Sequence, residues 1–156
     1  MKQRTIRAFR PEDGDAVAEV WRRSGRAAYP FLDLWREMDA RKANAVFREV
    51  IAPRCDIWVG SAGERVQAFL AMRASYIDRM YVLPDQWRQG WGGLLLTFAK
   101  QRSPEGLELH THQENTLARS FYEKHGFRAV RFGTSPPPES APDVEYWWRP
   151  EGEGDR

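Results

Sequence analysis

Hydrophobic side chains follow two different spacings along this chain, and the switches between them outline its elements. Thr5 to Phe9, TIRAF, alternates apolar and polar positions and predicts a first strand, after which Pro11 sits where a helix can begin. Asp13 to Arg23 carries a helical pattern that Pro30 interrupts within Ala28 to Leu32. Between Asp33 and Ile51, residues Leu34, Met38, Val46, Phe47, Val50 and Ile51 recur loosely at helical spacing and predict a second helix or a helical pair. DIWVGS (Asp56 to Ser61) and RVQAFLAMR (Arg65 to Arg73), separated by Ala-Gly-Glu, read as a hairpin, and Tyr76 to Leu83 is a further strand stopped by Pro84.

Beyond a glycine cluster, the pattern predicts a helix over Trp91 to Gln101, a short strand LELHTH, and a helix from Asn115 to His125 with Gly126 at a left-handed cap position. FRAVRFG and DVEYWWR read as the last two strands. TSPPPESAPD (Thr134 to Asp143) between them is too rich in proline for regular structure and reads as a surface loop. The order predicts an α/β fold of the mixed α+β kind, a sheet covered by helices. It reads as one domain over residues 1–150 with a flexible tail at 151–156.

Composition narrows the partners. Apolar residues make up 42% of the 156 residues and charged residues 29%, with seven tryptophans, enough for a packed interior. With 24 basic and 22 acidic residues the formal charge is only +2, so no basic face points to nucleic acid. The single cysteine, Cys55, excludes an internal disulfide and reads as a structural thiol, and no His, Asp and Glu cluster has metal-ligand spacing. MKQRTIRAFRPED lacks the apolar core of a signal peptide and no run reaches membrane-span length, so the expected location is the cytoplasm.

DQWRQGWGGLLL (Asp85 to Leu96) places three glycines in four positions at the mouth of a helix. First-turn amides lack intrahelical acceptors and carry the positive end of the helix dipole, so they bind a phosphate without a charged side chain. Gln89, Gly90, Trp91, Gly92 and Gly93 would supply such N–H groups. A P-loop would need Lys then Ser or Thr where Leu94 and Leu95 stand, and the dinucleotide fingerprint would need a glycine at position 95. In ENTLARSFYEKHGF, residues Asn115, Ala118, Arg119 and Tyr122 form a stripe on one helix face, while Leu117, Phe121 and Phe127 are expected to look toward the core.

Tyr76 to Phe132 resembles the core of the GCN5-related N-acetyltransferases, the acetyl-CoA-dependent GNAT superfamily. The resemblance rests on Val82, Pro84 and the turn ending Gln89-Gly90-Trp91-Gly92-Gly93, and on Asn115, Ala118 and Phe121-Tyr122-Glu123-Lys124-His125-Gly126-Phe127. It implies a GNAT fold, a twisted, mostly antiparallel mixed sheet of six or seven strands with about four helices. It also implies that the turn amides hold the coenzyme A diphosphate, that Met80, Tyr81 and Val82 pair with pantetheine, and that the Val82 N–H stabilises the oxyanion. Asn115 and Ala118 would lie along the same arm. Where the family usually carries Arg or Gln, this chain has Trp87, a departure that Arg88 is placed to offset.

The activity so implied is acetyl transfer to a primary amine by direct attack in a ternary complex, with acetyl-CoA as co-substrate and no metal. Tyr122 is by resemblance the general acid for the departing thiolate. His110 stands where ribosomal-protein acetyltransferases of the superfamily carry a carboxylate base, with Asp78 and Glu145 as rivals, His112 on the same strand face, and His125 at a helix end. The acceptor is a small-molecule amine or a protein N-terminal or lysine amine. Tyr29, Phe31, Trp35 and one of Trp147 and Trp148 are expected around it, with Asp33, Glu37 and Glu145 for its charge. The alternative is an acyl-CoA-binding regulatory or protein-association module without turnover. A homodimer is compatible with the aromatic last strand.

Overall fold

A computed structural model of the chain describes residues 3–137 and 139–150; the expected tail at 151–156 lies outside the described residues. The strands are β1 (Arg4–Ala8), β2 (Asp56–Ala62), β3 (Arg65–Arg73), β4 (Tyr76–Val82), β5 (Leu107–His112), β6 (Arg128–Thr134) and β7 (Pro142–Trp148). The α-helices are α1 (Gly14–Ala28), α2 (Asp33–Arg36), α3 (Ala40–Val46), α4 (Trp91–Arg102) and α5 (Thr116–Lys124). The strands form one sheet in the order β1-β2-β3-β4-β5-β7-β6. β1 with β2, β2 with β3, β5 with β7 and β6 with β7 are antiparallel, and β4 with β5 is parallel.

Among the described residues the helical pair expected between Asp33 and Ile51 forms as separate pieces, giving five α-helices in all. Asp39, in extended conformation, accepts a hydrogen bond from the Lys42 amide at 2.8 Å and so starts α3 as a fresh helix. Phe47–Ile51 then widens to a π turn. α1 runs on to Ala28, five residues past the expected Arg23, ending just before Pro30.

The chain divides into two compact units. The first comprises the residues up to Arg73 together with Asp78–Leu96; the second comprises Ala74–Ile77 and the chain from Thr97 on. In the first, α1 lays Val17, Val20 and Trp21 on a core shared with Phe47, Val59 and Phe69. Trp35 packs edge-on against Trp21 with centroids 5.3 Å apart, and it crosses α1 where Gly25 leaves room, since a Cβ there would lie 2.3 Å from the Trp35 ring.

In the second unit, Leu107, Leu109, Val144 and Tyr146 are fully buried from the facing strands β5 and β7. α5 corrects the expected facing of its helix. Leu117 is 67% exposed and Phe121 is half-buried, whereas Tyr122, only 9% exposed, turns inward with Phe127. The Tyr122 ring lies 5.6 Å from Phe127 and 6.1 Å from Tyr146. Both stripes of α5 carry apolar groups, and the one lying against the sheet is the stripe whose Arg119 Nε reaches the Tyr146 hydroxyl at 3.1 Å.

Candidate active site

In the first unit, β4 leads through a 3-10 turn at Pro84–Gln86 into the glycine turn and α4. Gly90 adopts φ +91° and Arg88 φ +64°, left-handed values of the kind that anion-binding turns use. The Trp91 side chain is 1% exposed and anchors the helix mouth. Its Nε1 donates to Gln67 Oε1 at 2.8 Å, satisfying a buried amide on β3. Its ring rests on Gly60 of β2, where a Cβ would lie 2.6 Å from it. Trp91 can therefore meet a ligand only through its backbone.

Two side chains add to the turn. Trp87, the departure from the family pattern, donates its Nε1–H to the Val82 carbonyl at 2.7 Å and so ties the end of β4 to the turn. Arg4, from β1, stacks its guanidinium over the Trp91 ring at 5.1 Å, and a Cβ at Gly90 would meet its Nη1 at 3.5 Å. A cation beside an amide-rich turn suits a diphosphate. Arg4 had no signal in the sequence, lying more than eighty residues from the turn. Exposed Arg88 and Gln89 also fit an anion there. On β4, Tyr81 stacks on Phe69 at 6.0 Å, which leaves its backbone and those of Met80 and Val82 as the groups a pantetheine arm could use.

Asp78 is held by Arg73 at 3.2 Å and also by Arg79, so its carboxylate is committed to two guanidinium groups. Burial and the Asp78 charge push the Cys55 thiol up to about 11, leaving a negligible thiolate fraction at neutral pH. Among the aromatic residues expected near the acceptor, Tyr29 and Trp35 belong to the buried core while Phe31 is 54% exposed. Asp33 pairs with Arg36.

The second unit gathers the titratable groups. Asn115 caps α5, its Oδ1 accepting from the Ala118 amide at 3.0 Å. On β5, His110 faces Glu145 of β7 across the antiparallel register, and Arg131 of β6 faces Glu145 in turn. His110 Nδ1 is 2.8 Å from the Tyr76 hydroxyl, and Nε2 is 3.9 Å from Glu145 Oε1. Glu145 Oε2 accepts from Trp147 Nε1 at 2.7 Å, and Arg131 binds the same carboxylate. The Trp147 hydrogen bond, helped by the Arg131 charge, holds the Glu145 carboxyl below its usual range against the opposing effect of burial.

The strand alternation separates the two tryptophans. Trp147 shares the Glu145 side and stacks under Arg149 at 4.6 Å, while Trp148 lies 4.9 Å from Lys100. His112 lies 3.6 Å from Glu139. His125 ends α5, where Lys100 Nζ donates to its carbonyl at 2.8 Å; burial, then Lys100 and Lys124, lower its ring pKa. Tyr76 went unremarked in the sequence as a strand residue 34 positions from His110. Among the described residues no helix is long and apolar enough to cross a membrane, and no group of three or more His, Cys, Asp or Glu could hold a metal ion.

A sequence model of the acetyltransferase (GNAT) domain matches residues 53–129. The chain is 29% identical over 129 residues to the peptidyl-lysine N-acetyltransferase YjaB of Salmonella typhimurium strain LT2, covering 80% of this chain and 83% of the relative. It is 27% identical over 128 residues to the peptidyl-lysine N-acetyltransferase YiaC of Escherichia coli K12, covering 80% and 84%. The fold is similar to the solution structure of apo YjaB from Escherichia coli, with a TM-score of 0.78 at 22% identity over 94% of this chain and 97% of that one. It is also similar to the PaiA N-acetyltransferase of Thermoplasma acidophilum in complex with coenzyme A, with a TM-score of 0.69 at 19% identity over 94% and 99%. Glycine turn, asparagine-capped helix, strand order and relatives agree: residues 53–129 match the acetyltransferase (GNAT) domain, and the chain is an N-acetyltransferase.

Proposed function

We propose that this enzyme moves the acetyl group of acetyl-CoA onto the side-chain amine of a lysine in a protein, by direct attack in a ternary complex, with residues 1–150 working as one domain. The observation that carries the acceptor class is the 29% identity to a peptidyl-lysine N-acetyltransferase over most of both chains. The raised Cys55 thiol favours direct attack over an acyl-cysteine intermediate.

In this reading the amides of Gln89 to Gly93, with Arg4 and Arg88, hold the diphosphate. The backbone of Met80, Tyr81 and Val82 aligns the pantetheine arm, and Asn115 and Ala118 are the second unit's own candidates for it. The Val82 N–H stabilises the oxyanion that forms as the amine attacks the thioester carbon. A lysine of pKa about 10.4 is almost wholly charged at pH 7, and freeing its lone pair costs roughly 4.6 kcal/mol. His110 takes that proton as base, with Glu145 attracting the ammonium. Tyr122 gives a proton to the departing thiolate. Of the two protons lost by the ammonium, one ends on the thiol and one in solvent. Trp147, on the Glu145 side of its strand, offers apolar surface for the lysine stem, and exposed Phe31 is a separate candidate in the first unit.

The test is thiol release from acetyl-CoA with three acceptors: a lysine peptide blocked at its N-terminus, the same peptide with a free N-terminus and an acetylated lysine, and small free amines. Turnover on the first, with mass spectrometry placing the acetyl group on lysine, is expected. Turnover confined to the second or third would reject the acceptor class.

A further inference from the structure

We infer that Tyr76 is a catalytic residue, the group that touches the acceptor amine and relays its proton to His110. This rests on the reading of His110 as the base. The geometry is that of a base hydrogen-bonded at one ring nitrogen and facing a carboxylate at the other. The Tyr76 hydroxyl lies 2.8 Å from Nδ1, and the Glu145 carboxylate lies 3.9 Å from Nε2. A carboxylate opposite Nε2 favours the neutral tautomer that carries its proton there, because a lone pair would be repelled. Nδ1 is then the free base, and the Tyr76 O–H is the donor that occupies it.

With Nδ1 accepting from Tyr76 and Nε2 carrying its proton toward Glu145, His110 has no lone pair left for the amine itself. The path that remains runs through Tyr76, as in an oriented triad in which a carboxylate holds the imidazole and the imidazole activates a hydroxyl. The ammonium N–H bond breaks before attack and its proton passes to Tyr76 Oη, freeing the lone pair that then bonds to the thioester carbon. The former Oη–H proton passes to Nδ1, giving an imidazolium opposite Glu145. The ring, with 42% of its side chain exposed, then returns one proton to water.

The surrounding charges support this assignment. Arg131, from β6, binds Glu145 and keeps that carboxylate ionised. Along β5, Glu108 is taken by Ser75 Oγ at 2.6 Å and by Arg149 at 3.1 Å, and His112 stands near Glu139, so Glu145 is the carboxylate that faces Nε2. The position of Tyr76 is fixed by β4 itself: Tyr76 pairs with Glu108, and the Glu108 amide donates to the Ser75 carbonyl at 3.1 Å.

The experiment compares kcat/KM of Tyr76→Phe, His110→Gln and the double variant, with melting temperature and acetyl-CoA affinity as controls for folding. Each single variant is expected to lose about 10²-fold, and the double variant no more than either, because both changes cut one relay. Tyr76→Phe within threefold of the parent, or losses that multiply in the double variant, would overturn the relay while leaving His110 as base. An unaffected His110→Gln would instead remove the base reading and the relay with it. Nitrogen-15 chemical shifts of His110 supply a readout independent of turnover. The Nε2–H tautomer is expected at neutral pH, and the Nδ1–H tautomer would overturn the proposal even in a variant that folds poorly.

Discussion

The glycine turn of the first unit and the histidine cluster of the second are built from opposite materials. At the turn the proposed chemistry lies in the main chain, with Gly90 at φ +91° and the Trp91 side chain buried. At β5 the proposed chemistry lies in side-chain atoms, where Tyr76, His110 and Glu145 meet from three strands. A site made of amides would be sensitive to packing underneath it and tolerant of the letters around it. A site made of titratable groups has the reverse sensitivity, because one lost oxygen removes a proton path whatever the packing does.

Three changes would break or sharpen that contrast. The largest effect is expected for Tyr122→Phe, which removes the proposed proton donor but keeps the ring against Phe127 and Tyr146. Turnover should fall by about 10²-fold or more with acetyl-CoA affinity within about twofold, as measured by steady-state kinetics and calorimetry. Unchanged turnover would take the acid role away from Tyr122.

Gly60→Ala comes next and probes the turn from beneath. The added Cβ would lie 2.6 Å from the Trp91 ring, overpacking a fully buried site at a cost of about 1–3 kcal/mol. A melting temperature lower by several degrees, together with weaker acetyl-CoA binding, is expected. Stability lost with affinity intact would show that the turn does not depend on its Trp91 anchor.

The smallest effect is expected for Arg4→Ala. Removing one partly exposed cation beside Gly90 should weaken coenzyme A binding by about 3–10-fold at low salt, with less effect at high salt. A salt-independent loss would mean that Arg4 acts through its stacking on Trp91 rather than through its charge.

The elements themselves were readable from local pattern. The expected strands became β1 to β7, the Trp91 start of α4 matched its glycines, Asn115 became an N-cap and Gly126 took φ +93° after α5. These features depend on residues within one or two turns of each other, where stereochemistry alone decides. The facing of α5 was not readable, because Leu117 and Phe121 form as good an apolar stripe as Tyr122 does, and helical spacing is symmetric with respect to which stripe meets the sheet.

What the sequence determined by itself, then, was the kind of fold, the amide-rich turn and the residue types available for acetyl transfer. Tertiary structure alone decided that Arg4 comes to the turn, that Asp78 is taken by two arginines, and that Tyr76, His110 and Glu145 share one cluster. Each of those meetings is set by strand register and chain crossing over tens of residues, and no local spacing encodes them.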